Sequence, residues 1–220
     1  MSLKKIENEF KELSKIHTML ELSVSKYELV IQGLLGFCTV VKGEKFIDEY
    51  AIKISFPKDY PKQLPKAFET SGRIANQPEN HINPSGSLCV GTPPKIREIL
   101  YPNYSLTDYI NKVLIGYLSQ YSYKEKYGKW PYGEMSHGVR GIIDYYKEEY
   151  SQYFDTDDKV IKAFKDLSTM KTRPKGYIKC NCGCKKLVKN CKYQKLLKKI
   201  RQKEEDYNLY IDEFNNMGEE

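Results

Sequence analysis

Three features of the 220-residue chain predict an α+β fold in which helices cover one face or the ends of an antiparallel sheet. The apolar residues first recur with a helical period, then alternate with the period of a strand, and later return to the helical period. With 40% hydrophobic residues and 13% aromatics, the chain is also too apolar to remain disordered. Its length allows one domain of roughly 150 residues and an appendage.

The elements follow in order. Leu3, Ile6, Phe10, Leu13, Ile16 and Leu20 recur every three or four positions between lysines and glutamates, which predicts an amphipathic helix over 3–20. Tyr27 to Val41 is β-branched and aromatic, Lys42 to Lys45 reads as a turn, and Tyr50, Ile52, Ile54 and Phe56 alternate with smaller or polar residues. This pattern describes a meander with one buried face. Pro57, Pro61 and Pro65 fix an extended turn, and Lys66 to Glu69 supplies a further short strand. From Ser71 to Tyr104 no period is sustained, which predicts a long ordered loop or a set of turns. Ser105 with Asp108 three residues on is an N-cap signature, and the stripe from Leu106 to Tyr121 is wide enough for a core helix. A Tyr/Lys/Gly/Pro-rich connector ends near His137. Helices are then expected from Val139 to Tyr153, around Val160 to Met170, and from about Gln194 to Phe214. The resulting division is 1–154 for the main domain, 155–176 for a helical linker and 177–220 for a terminal module.

The formal net charge of +7 is unevenly distributed. Between Lys171 and Lys203 there are 13 basic residues and no acidic one, so the remainder of the chain is net acidic. Such a segment favours an anionic partner: nucleic acid, lipid headgroup or an acidic protein surface. No apolar stretch reaches the roughly 20 residues a membrane span needs, and the first residues lack the apolar stretch of a signal peptide. A cytoplasmic protein with no membrane partner is the expectation. In a reducing compartment its six cysteines are thiols, serving as metal ligands, nucleophiles or core residues.

The loop from His81 to Pro94 places a histidine, an asparagine and Cys89 in one short glycine-containing stretch. A nucleophilic thiol needs access, some stabilisation of its thiolate, and donors near the carbonyl oxygen it attacks. Asn83 or a backbone N–H beside Gly86 is a candidate donor, and His81 could hold the loop or polarise the site. His137, with Trp130 and Glu134, is a candidate to orient or deprotonate an attacking amine, or a residue at a helix start beside a core tryptophan. Tyr60, Pro61 and Pro65 read as structural, and Cys38 as a core residue.

The proline-rich run from Phe56 to Ser71, the His-x-Asn loop and the Gly-x-x-Cys that follow resemble the ubiquitin-conjugating enzyme family over about Leu3 to Tyr121. Family members typically have His-Pro-Asn before the cysteine. Here Ile82 replaces the proline and the Asn-to-Cys spacing is shorter, a pattern similar to a bacterial branch that also carries a Trp-Pro-x-Gly-Glu-x-x-His-Gly segment, present here from Trp130 to Gly138. The resemblance implies a ubiquitin-conjugating fold and an enzyme in which Cys89 accepts a protein C-terminus as a thioester and passes it to an amine, with Asn83, His81 and His137 as assisting residues. It also implies a protein partner with a C-terminal glycine, either a cyclic-oligonucleotide synthase or a ubiquitin-like protein, in antiphage defence. A non-catalytic adaptor of the same fold, or a nucleic-acid-binding protein acting through the basic module, are the alternatives.

Cys180, Cys182, Cys184 and Cys191 fall within one lysine-rich stretch, and four thiolates match a tetrahedral structural zinc site. Cys-x-Cys-Gly followed by lysines and Asn-Cys resembles the SEC-C zinc-binding motif, with Lys192 where a last ligand would follow Cys191, which leaves Cys184 as the candidate fourth ligand. Zinc would supply folding energy to a module too small to build a core of its own.

Overall fold

The computed structural model describes residues 3–133, 136, 138–169, 175–180 and 182–203. The chain is mixed α+β and divides into two compact units, Met1–Glu134 and Met135–Glu220.

The first unit is built on a four-stranded antiparallel meander of order β1-β2-β3-β4, with β1 Leu20–Val24, β2 Glu28–Val41, β3 Glu44–Pro57 and β4 Lys66–Glu69. Lys42 and Gly43 both have positive φ, 52° and 82°, so the β2–β3 link is a two-residue turn whose twist suits a hairpin. Odd-numbered residues of β2 face inward: Leu29, Ile31, Leu35 and Phe37 are buried against Tyr50, Ile52, Ile54 and Phe56 of β3 and the apolar stripe Ile6, Phe10 and Leu13 of helix α1 (Leu3–Leu13). Gly33, on the same row, has φ 134° and lies so close to β1 that a Cβ would sit 2.0 Å from the carbonyl oxygen of Met19.

Three expectations are corrected by this unit. The helical stripe does not continue to Leu20, because Ile16 is 77% exposed and Leu20 is already the first residue of β1, in register with Gly33. Cys38 is exposed, since its even position on β2 puts it opposite Ile47 on the outer face of the sheet. The stretch before Tyr104 contains a helix, α2 (Pro93–Leu100).

Beyond it Ser105 caps the next helix as its sequence predicts, its hydroxyl accepting from the Asp108 N–H at 3.0 Å. α3 (Leu106–Asp108) passes through a wider π-helical stretch, Tyr109–Leu114, into α4 (Ile115–Tyr127), and Gly128 closes the helix at φ 70°. The Glu9 carboxylate accepts from Leu106 N at 2.5 Å, tying α1 to this helix start. On the other side Arg73 joins Asp48 at 2.8 Å to Glu125 at 2.6 Å and lies over the Tyr50 ring.

The second unit is helical. Helices α5 (Gly138–Glu149), α6 (Asp157–Thr169) and α7 (Lys192–Lys203) share a core of Ile142, Ile143, Tyr146, Phe154, Val160, Phe164, Leu197 and Ile200. Arg140 and Lys147 both pair with Asp157 at the start of α6, and the Tyr193 hydroxyl donates to Asp166 at 2.8 Å. Compact packing divides the chain after Glu134, and α7 contributes Leu196, Leu197 and Ile200 to the core it shares with α5 and α6. The part of the last expected helix beyond Lys203 lies outside the described residues.

Candidate functional site

Around Cys89 the sequence folds into a tight hairpin. Asn83 N donates to Ser87 O and Gly86 N to Asn83 O, both at 2.8 Å, while Cys89 N donates to His81 O at 2.7 Å. Asn-Pro-Ser-Gly is the reason: Asn opens the turn, Pro84 presets the second φ, and Gly86 takes the left-handed position at φ 80°. Ile82 bridges Leu88, and Leu88 N reaches Ala67 O on β4 at 2.8 Å, which fastens the hairpin to the sheet edge.

The register decides which side chains meet. Directly paired residues of antiparallel strands project from one face, so Asn83 and Ser87 share one face and Ile82 and Leu88 the other, while His81, at φ 53°, departs from the strand conformation and meets Cys89 through its backbone carbonyl. Leu88 and Ile82 pack on the core of the first unit. Cys89 is partly exposed, and burial pushes its thiol above the usual range; the Gly91 N–H pulls the other way by a smaller amount.

His81 is set by its surroundings. It takes φ 53° at the end of the short 3₁₀ turn Pro78–Asn80, and its ring lies 4.7 Å from that of Trp130 in an edge-on contact. Trp130 donates its indole N–H to Glu79 O at 3.1 Å, Tyr117 donates to Asn80 O at 2.5 Å, and Lys124 donates to Asn80 Oδ1 at 2.9 Å. Helix α4 and Trp130 thus hold the backbone just before the histidine. Asn83 spends one N–H on Ser87 Oγ at 3.0 Å, leaving its amide a second donor. Trp130 belongs to this site and to the core together, whereas His137 and Glu134 lie outside the described residues.

The structure adds two residues that sequence reasoning did not single out. Tyr117 lies close enough to Cys89 for the thiolate to oppose its ionisation, and its own burial is the larger cause of a raised phenol pKa. Thr92 is 9% exposed, and its hydroxyl has no hydrogen-bond partner among the described residues. The signal for Thr92 was the Thr-Pro-Pro sequence, a helix start in which Thr92 is the N-cap and the first two helical positions carry no N–H to be capped.

In the second unit the four cysteine sulfurs lie within 4.8 Å of one another. Cys180, Cys182 and Cys191 approach at 3.2, 3.4 and 3.5 Å, near the edge of about 3.8 Å for a tetrahedron with 2.3 Å zinc–sulfur bonds. Lys179 bridges Leu187 and Cys180 N donates to Lys186 O at 2.9 Å, so a small antiparallel loop closes at Gly183, φ 85°, and carries the first three cysteines. Cys191 immediately precedes α7; burial opposes its ionisation, but the Gln194 N–H and the neighbouring thiols pull it down to about 7. Cys182 N donates to Cys180 Sγ at 3.4 Å. Burial and the neighbouring thiols push Cys182 up to about 12, a conflict between crowded sulfurs that a divalent metal would relieve, and zinc there would lock the loop to the start of α7. Cys184, the exposed member, completes the set.

Among the described residues no helix is long and apolar enough to cross a membrane. Compared with known protein families, with curated proteins and with solved structures, the chain finds no match in any of the three. The fold and these two sites define the class: a mixed α+β protein with a four-stranded antiparallel sheet and a four-cysteine cluster able to hold a metal ion.

Proposed function

We propose that the chain is a ubiquitin-conjugating-type acyl transferase of the ubiquitin-conjugating fold, in which Cys89 forms a thioester with the C-terminal glycine of a protein. The observation that carries the reading is the hairpin that holds the partly exposed Cys89 backbone-paired with His81 and fastens this loop to the sheet and α4. The order of helix, four-stranded meander, proline turn, cysteine loop and long helix supports it.

The Cys89 thiolate attacks the carbonyl carbon of an activated donor, a C–S bond forms and the donor's thiolate leaves. A target amine then attacks the thioester; the C–N bond forms, the C–S bond breaks, and the amine proton passes to a base. In this reading His137 orients or deprotonates that amine, His81, held against Trp130, steadies the loop or polarises the site, and the second amide N–H of Asn83 serves the developing oxyanion. The donor is a cyclic-oligonucleotide synthase or a ubiquitin-like protein, and the setting is cytoplasmic antiphage defence.

The test uses a peptide with a C-terminal glycine thioester as donor. Mass spectrometry should find a thiol-labile adduct on Cys89, and Cys89→Ser should carry a thiol-stable ester at lower yield. Asn83→Ala should slow transfer to an amine by about 10²–10³-fold with less effect on loading. Undiminished transfer by Cys89→Ala overturns the reading.

A further inference from the structure

We infer that the cationic face of the thiol-cluster module is a binding surface for single-stranded nucleic acid. From Lys175 to Lys203 the sequence has no acidic residue, and every lysine and arginine whose side chain is described there is exposed. None of these cations has an ion-pair partner among the described residues. Elsewhere the charged side chains are commonly paired: Arg73, Arg140 and Lys147 each have carboxylates within 3 Å. A face left uncompensated in this way has its charge available for phosphates.

Its arrangement narrows the partner. Lys192, Lys195 and Lys198 run along α7 at spacings of three, so they lie beside one another on the helix surface. The apolar stripe of that helix, Leu196, Leu197 and Ile200, is already buried in the core of the unit. A basic helix whose apolar side is occupied has nothing to insert into a bilayer, which leaves headgroup attraction alone for lipid binding. On the small loop Tyr177 is 67% exposed between Lys175 and Lys179, and the Lys175 ammonium lies 5.9 Å from its ring. An exposed aromatic among cations is how sequence-tolerant single-strand binders take an unstacked base while contacting its phosphates. A duplex keeps its bases stacked and offers Tyr177 no such surface.

This inference is independent of acyl transfer at Cys89. The full chain is the right material, because beyond Lys203 it carries seven acidic residues and no basic one, and binding must succeed in their presence. Fluorescence anisotropy with a labelled 20-nucleotide oligothymidine should show binding at about 50 mM salt that weakens steeply by about 200 mM. Lys195→Glu combined with Lys198→Glu should weaken binding at least tenfold and flatten the salt slope, whereas Lys195→Arg with Lys198→Arg should preserve both. Tyr177→Ala should lose about tenfold with the slope unchanged. Circular dichroism of each variant checks that the unit stays folded. Absence of binding at 50 mM salt overturns the inference. So does equal binding of oligothymidine and polyglutamate, or wild-type affinity in Tyr177→Ala, either of which would leave only an unspecific cationic surface.

Discussion

Between Met1 and Glu134 the core rests on two 14-residue strands paired as one long hairpin, while between Met135 and Glu220 three helices close over a small core beside a cluster of four sulfurs. The first unit draws on apolar burial spread over a sheet face and α1, α3 and α4. The second is smaller and stands to gain from a metal that crosslinks its loop to α7. The contrast assigns different weak points to the two units, and each can be attacked separately.

Metal removal should have the largest effect. Elemental analysis of the purified protein should give about one zinc per chain, and a chelator or Cys180→Ser with Cys191→Ser should remove it. Structural zinc contributes of order 10 kcal/mol in zinc-finger peptides, less where helices already share a core as here. Hydrogen exchange should accelerate in α7 and in the 176–189 loop and stay unchanged in β2 and β3. Acceleration of equal size in the strands would break the contrast.

Arg97 gives the next effect, confined to the first unit. It is 4% exposed on α2 and donates to Pro61 O at 2.8 Å and to Lys62 O, holding the proline turn whose Tyr60 hydroxyl donates to Tyr104 O. Arg97→Met keeps the stem but strips two part-buried carbonyls of a charged donor, so a loss of about 1–3 kcal/mol is expected in urea titration of that unit. A loss below 1 kcal/mol would show that the turn stands without it.

The thiols separate more gently. Cys38 is exposed on the outer sheet face and Cys89 is half-buried with a raised pKa, so iodoacetamide at pH 7.5 should modify Cys38 about tenfold faster, read by peptide mass mapping. The Cys89 rate should keep climbing at pH values above the usual thiol range. Because burial favours the neutral thiol in the folded state, the unfolded chain releases that proton first, and the stability it contributes declines as pH rises above about 8.5. Faster reaction at Cys89 than at Cys38 near neutrality would mean an activated thiolate that burial does not describe.

How far the sequence discloses each region follows from what its signals encode. The inward row Tyr50, Ile52, Ile54 and Phe56, the Ser105 cap and the grouping of four cysteines are local patterns, and each has its structural counterpart. Cys38 was misread because an apolar neighbourhood does not say which face a strand residue takes; only the pairing with Ile47 does. The helix stripe ran past Leu13 because Ile16 and Leu20 keep its spacing by coincidence, and β1 competes for Leu20. The hairpin that pairs His81 with Cys89 was written in Asn-Pro-Ser-Gly but hidden by the absence of a period. The contact of His81 with Trp130 joins residues far apart in the chain, which no local pattern reveals.

The smallest expected effect on stability falls at Thr92. An N-cap threonine ordinarily contributes about 1 kcal/mol by accepting from the second or third helical N–H, and replacing it is costly for that reason. Here Pro93 and Pro94 occupy the first two helical positions, no side-chain cap bond is formed, and the buried hydroxyl finds no partner among the described residues. A polar group in that state costs free energy to bury, so the nearly isosteric Thr92→Val should leave the urea midpoint unchanged or raise it slightly, by up to about 1 kcal/mol. A drop of that size would instead assign the hydroxyl a bond in the folded protein. Two residues separate Thr92 from Cys89, and both lie where the hairpin passes into α2. Measuring amine transfer on the same variant therefore sharpens the contrast between scaffold and chemistry: a midpoint that holds while transfer slows would tie the unpaired hydroxyl to the reaction at Cys89, and a rate that holds with it would leave Thr92 a helix start alone.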